Sequence, residues 1–303
     1  MFITTTIIQT ALEVGLIYSL VTLSLYLSFT ILNVCDLSTD GCYTLGCAVA
    51  AMITIAGHPI LALLAAMVAG IASGFLTAFL QTRLGIESIL AGIIVNTGLY
   101  TINLVVMGLS SNVSIFGVDT VFTLWKGISS NPVWESWSKL ILLAIIVAIA
   151  CVAMYFFLNT KLGLSIRATG DNPAMVKSSS INTAFTITVG LCAANACTGL
   201  AGGLIAQYNK TCDINLGTGM VTIALASLVI GESIMGRKGS IIKGILGVLV
   251  GALLYRFIVA IALRLNVPTE FFKLVSAVIV AVAIAAPRLK EYAKLKQAMR
   301  GDD

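Results

Sequence analysis

The sequence predicts an all-α polytopic membrane protein with about nine transmembrane helices. Three observations predict it. Hydrophobic residues make up 58% of the 303-residue chain and charged residues 10%, against about 25% charged in ordinary soluble domains. The mean hydropathy is +1.02, and a soluble surface could not be covered with so few polar groups. The apolar residues come in long continuous runs, whereas barrel strands alternate apolar and polar positions over about 10 residues. A helix crosses the hydrocarbon with about 20 apolar residues, and the chain offers many such runs.

The first span is expected near residues 6–32. Its opening, "MFITTTIIQTALEVG", has no basic leader and no small-residue cleavage site, so it reads as the start of a span rather than a removable signal. The polar break "NVCDLSTDG" follows, and then a short apolar run near 41–56. His58 and Pro59 form a tight turn before a span near 59–82, and another span is expected near 88–108. Residues 109–137 form a long connection whose Trp125, Trp134 and Trp137 fit a helix at headgroup level. Further spans are expected near 138–158, 183–207, 219–231, 241–263 and 268–286. The 219–231 run is again short and follows "DINLGTG". Short, interrupted segments in corresponding places of two halves point to a transport site. Irregular backbone at membrane depth survives only where protein or a water-filled cavity surrounds it. For 33–41, depth and surface are equally consistent with the sequence; for 208–218 a surface loop is the simpler expectation.

Orientation follows from Lys and Arg. With the N-terminus outside and the C-terminus cytoplasmic, twelve of the eighteen basic residues fall inside, four outside, and Arg256 and Lys273 within spans. That bias satisfies the positive-inside rule. The chain is one transmembrane domain, 1–303, with a cytoplasmic segment at 159–182 and a cytoplasmic tail at 287–303. The net charge of +5 is accounted for by these cytoplasmic ends and calls for no nucleic acid.

No catalytic constellation appears: there is no GxSxG, HExxH or Walker A sequence, and one histidine. The seven cysteines have no paired zinc spacing and mostly sit in apolar runs, where they act as small hydrophobes. No metal site, cofactor or enzymatic activity is expected. Asp36 and Asp40 could pair, but Ser38, Thr39 and Gly41 make a turn the simpler reading. Asn96, Asn103, Asn195, Gln207 and Arg256 interrupt apolar runs, and a polar residue within a span is either a functional group or an interhelical hydrogen bond. Gly199, Gly202 and Gly203, and Gly244, Gly247 and Gly251, form two clusters that let helix backbones approach closely.

The stretch "SIRATGDNPAMVKSSSINT", 165–183, stands apart from the oil around it. Asn172 is a good N-cap and Pro173 suits the first helical position, so a helix of one to two turns is expected from Pro173 to about Ser179. Met175 and Val176 give it a small apolar face. A short cytoplasmic helix between two spans fits a knob for a partner's socket.

"GLSIRATGDNPAMVKSSSINT" resembles the cytoplasmic coupling segment of permease subunits of bacterial ABC importers, in the group of branched-chain amino acid, ribose-type sugar and nucleoside permeases. The resemblance runs nearly end to end. "LAGIIVNTGLYTINLVVMG" and the stretch from "ASLVIGESIMGRKGS" to "AAPRL" are similar to a tryptophan/tyrosine-type subgroup. The break reads DLSTDGCY, with Cys42 and Tyr43 where that subgroup carries a small–aromatic pair. The resemblance implies a multi-pass permease of the bacterial cytoplasmic membrane, surrounded by lipid and importing an amino acid, aromatic or branched-chain, or alternatively a sugar or nucleoside. It implies a second permease copy, as a homodimer, or else a homologue in its place, cytoplasmic ABC ATPase subunits that hydrolyse the ATP, and an extracytoplasmic substrate-binding protein. Gly170, Asp171, Asn172, Pro173, Met175 and Val176 would dock the ATPase. Asp36, Ser38, Thr39, Asp40, Asn96, Asn103 and Asn195 are the candidate pathway residues. An ion-coupled secondary transporter is the alternative from another class; it would need an embedded cation site, and the chain offers little beyond Asp36, Asp40, Arg256 and Lys273. A channel-like or purely structural subunit is a third.

Overall fold

A computed structural model describes residues 5–127, 132–236 and 240–264, with isolated helical positions at 274, 278, 281 and 285. The ninth expected span, 268–286, otherwise lies outside the described residues, as does the tail. Among the described residues six helices are long and apolar enough to cross a membrane, and two shorter apolar helices accompany them. The long helices are α1 (Thr5–Leu25, continued by a π-helical turn Tyr26–Ile31), α3 (Pro59–Thr82), α4 (Ser88–Val106), α6 (Pro132–Asn159), α9 (Thr183–Asn209) and α11 (Ile241–Arg264). The short ones are α2 (Thr39–Ile55) and α10 (Met220–Met235).

The centre of the bundle is α9. Its apolar window is 78% buried, whereas those of α4 and α6 are 28% buried. Small residues make this possible. A Cβ on Gly70 would meet the Asn195 carbonyl, one on Gly199 the Ala66 carbonyl, and one on Gly202 the Tyr43 carbonyl. Helices α2 and α3 therefore lie against α9 with backbones nearly touching, the way packing is gained in lipid where tails are as apolar as leucine. Gly231, Gly247 and Gly251 do the same between α10 and α11.

The rungs along α9 fix the depth of the first break. Asn195 contacts Asp36, Gly202 contacts Tyr43, and Gln207 donates to Thr54 Oγ1 at 3.1 Å and to the Pro59 carbonyl at 2.8 Å. Asp36 thus lies beside the middle of α9, about 21 Å from its end at Asn209 by the helical rise. The break at 32–38 therefore sits beside the middle of a helix long and apolar enough to cross a membrane, which favours the deeper of the two readings of 33–41.

The second break corrects an expectation. Residues 208–218 do not form a surface loop throughout. Strand β2 (Thr211–Asp213) pairs antiparallel with β1 (Asn112–Ser114) at the bundle end, a two-stranded ribbon that the all-α expectation omits. The chain then turns inward, and the Gly219 and Val221 amides reach the Asp40 carboxylate at 2.9 and 2.8 Å. So α10, like α2, begins inside the bundle, beside Asp40. The connection before α6 carries α5 (Val121–Lys126), capped by Thr120, and Trp125 and Trp134 pack with ring centroids 5.6 Å apart.

At the opposite end two helices, not one, fill the segment expected to couple. Helix α7 (Lys161–Asp171) precedes α8 (Pro173–Ser178). The sequence marks 159–182 only as a cytoplasmic segment, because the polar residues of 161–171 hide a narrow inward stripe of Gly163, Ile166 and Thr169.

Candidate functional site

The first break is held by a side-chain network. Asp36 Oδ1 accepts from the Ser38 amide at 2.8 Å and the Ser38 hydroxyl at 2.6 Å, an Asx-type turn. Its Oδ2 accepts from Asn195 Nδ2 at 2.7 Å. Thr77 donates to Ser38 Oγ at 3.1 Å, and Thr39 donates to the Asp36 carbonyl at 3.1 Å. All five side chains are buried. Asp36 and Asp40 face separate donors and form no carboxylate pair.

Asp40 begins α2 and ties it to the second break. Besides the Gly219 and Val221 amides on its carboxylate, Thr44 Oγ1 accepts from the Gly217 amide at 3.1 Å. The N-termini of both short helices meet here, each the positive end of a helix dipole. The second break repeats the first in miniature: Asp213 Oδ1 accepts from the Asn215 amide at 2.8 Å, as Asp36 does from Ser38.

A cavity of about 300 Å³ opens at this junction. It is lined by Asp40, Gly41 and Thr44 of α2, by Asn96, Thr97, Tyr100 and Asn103 of α4, and by Ile214, Asn215 and Thr218 of the second break. Asn103 Nδ2 donates to the Gly41 carbonyl at 3.1 Å, while its buried Oδ1 has no partner among the described residues. The size is at the lower end of small-molecule sites. A wider cleft of about 470 Å³ between α3, α6 and α9 is walled by apolar side chains such as Leu64, Ile149 and Phe157, and offers a polar solute nothing to bind.

The structure therefore divides the seven candidate pathway residues. Asp40, Asn96 and Asn103 line the cavity. Asp36, Ser38, Thr39 and Asn195 are not among its lining residues and instead hold the break beneath it. Thr97, Tyr100, Asn215 and Thr218 were missed. The spacing 96, 97, 100, 103 is one face of a helix, and that polar stripe was the available signal.

The residues expected to couple sit together at the other end. Asn172 Oδ1 accepts from the Ala174 and Met175 amides, each at 3.1 Å, as a cap should. Asp171, Pro173 and Met175 are exposed, but Val176 is buried, so the apolar tip of α8 is Met175 alone. Gly170 is pressed against the Ile31 carbonyl at the end of the π-helical turn. Thr169 and Thr186 join their hydroxyls at 2.9 Å, fixing α7 to α9.

The description "branched-chain amino acid transport system / permease component" matches residues 7–284. The chain belongs to this permease family. The permease is 32% identical over 276 residues to the tyrosine transport system permease protein of Clostridioides difficile strain R20291, covering 91% of this chain and 89% of that one. It is 28% identical over 273 residues to the ribose import permease protein of Escherichia coli K12, with 84% and 78% covered. The galactofuranose transporter permease protein of the same strain is 27% identical over 255 residues, with 81% and 69% covered. No solved structure matches the permease.

Proposed function

We propose that the chain is the membrane-spanning subunit of an ATP-driven ABC importer for an amino acid, aromatic or branched-chain, in the bacterial cytoplasmic membrane. ATP is hydrolysed on separate cytoplasmic subunits, and a binding protein delivers the solute from outside. Two copies of the permease enclose the route. The face of α4 beside the cavity carries exposed Thr97, Tyr100 and Thr101, polar groups that hydrocarbon does not solvate and a second copy would cover.

One observation carries the reading: the contact of Gly170 with Ile31. Ile31 is the last residue of the π-helical turn, immediately before the break that leads to Asp36 and Asp40. A displacement of α7 and α8 by the ATPase is passed by backbone contact to the break, and through Asp40 to both short helices at the cavity. Steric contact between backbones transmits motion better than side chains that hop rotamers.

The amino acid reading leans on the tyrosine relative; the sugar relatives supply the competing one. Uptake of labelled tyrosine and ribose into proteoliposomes holding the permease, its ATPase and its binding protein tests both. Tyrosine uptake that requires ATP is expected. Ribose uptake in its place would favour the sugar reading, and uptake driven by an ion gradient without ATP would overturn the ABC assignment.

A further inference from the structure

Three side chains that line the cavity beside Gly41, those of Asp40, Asn96 and Asn103, carry oxygen acceptors. The Asp40 carboxylate accepts from two backbone amides and forms no ion pair among the described residues. Asn103 Oδ1 is buried and lacks a donor among the described residues. Its orientation is fixed, because the Gly41 carbonyl can only accept and so must face Nδ2. Asn96 Oδ1 lies close enough that a Cβ on Gly41 would be 2.7 Å from it. Among the described residues no lysine, arginine or histidine lines the cavity.

A ligand completing this wall must donate several hydrogen bonds, since an orphaned buried acceptor is costly. A neutral polyol could donate them, but would leave the carboxylate uncompensated at membrane depth, where charge is expensive. The amides of α10 offset part of that charge and hold the carboxylate in place. A protonated amine supplies both the donors and the missing positive charge. We propose that Asp40, with Asn96 and Asn103, receives the protonated amine of the solute, and that the permease itself selects amines over polyols. Tyr100, half exposed on the same wall, presents a ring to an apolar or aromatic side chain. The inference rests on the cavity being part of the solute route, as proposed above.

The test uses the purified permease in nanodiscs and four probes. Tyrosine has both charged groups, tyramine keeps only the amine, 3-(4-hydroxyphenyl)propionate keeps only the carboxylate, and ribose has neither. Thermal unfolding is followed against probe concentration. Tyrosine and tyramine are expected to raise the midpoint and the other two to leave it unchanged. In Asp40→Asn the apparent affinity for both amines is expected to fall at least about tenfold, the lower range for a lost charged hydrogen bond. Should that variant fold poorly for want of its α10 cap, the probe series on the unaltered chain and on Asn96→Ala carries the same test. Stabilisation by the propionate or ribose as strong as by tyramine overturns the proposal, as does no shift with any probe. ATP-driven ribose uptake by the assembled complex would sink the amine inference while leaving the transporter reading standing; a complex that transports nothing would sink the reading itself.

Discussion

Asp36 keeps a carboxylate at the middle of the bundle by giving it three donors, two from Ser38 and one from Asn195. An ionised group there would otherwise cost at least about 2.5–3.5 kcal/mol. Asp36→Asn offers one acceptor oxygen in place of two, so a buried donor of Asn195 or Ser38 is left unpaired. The expected loss is about 1–3 kcal/mol of stability, read as a lowered unfolding midpoint in detergent. Because Asp36 is not on the cavity wall, uptake per folded molecule is expected to persist. A collapse of uptake at normal protein level would instead put Asp36 in the pathway. That division between Asp36 and Asp40 was not legible in the sequence. The two residues lie four apart in one polar hexad, and their partners, Asn195 and the 219–221 amides, are remote in the chain. What could be read was that carboxylates beside a short span must meet something other than lipid.

The helices themselves were legible because lipid makes them so: every backbone polar group must be satisfied within the segment, so apolar runs map directly onto α3, α4, α9 and α11. The cap of α8 was legible for a local reason, since Asn172–Pro173 encodes a helix start by itself. Helix α7 was not, because a water-facing helix with a narrow buried stripe carries no apolar run. Two predictions belong to these elements. Asn172→Ala removes the acceptor for two amides, at about 1 kcal/mol. Its effect falls on α8 alone, so weaker co-purification with the ATPase at unchanged permease level is expected. Gly170→Ala inserts a methyl against the Ile31 carbonyl and pushes α7 from the π-helical turn. The complex is expected to assemble and hydrolyse ATP while uptake falls severalfold. Equal losses of hydrolysis and uptake would mean that Gly170 matters for assembly rather than for transmission.

The whole molecule pairs two interrupted halves. In each, a long helix leads to an Asp-stabilised turn, buried beside the middle of α9 in the first half and at the bundle end in the second, and then to a short helix, and the two short helices meet at Asp40. The segment proposed to couple and the two-stranded ribbon occupy opposite ends of the bundle, and the Lys and Arg distribution predicts the first inside and the second outside. A membrane-impermeant thiol reagent on intact cells is expected to modify a cysteine placed at exposed Phe116, beyond the labelling of the parent chain, and to spare one placed at exposed Met175. The reverse pattern would invert the orientation. The remaining question at this scale is what covers the cavity. Its wall on α4 is polar and open, and α4 is among the least buried spans. Thr97 satisfies its own hydroxyl on the Ile93 carbonyl at 2.9 Å, but the Asn96 amide and the Tyr100 hydroxyl of the same wall would meet tails that cannot accept or donate a hydrogen bond, so a second copy across this face resolves the mismatch. Cysteines at Thr97 in membranes are expected to join two copies through a short bifunctional thiol reagent. Cysteines at Val152, exposed on α6, are expected not to. Crosslinking through Val152 but not Thr97 would move the interface to α6 and leave the cavity open to lipid, which the polar wall makes physically untenable for a solute route.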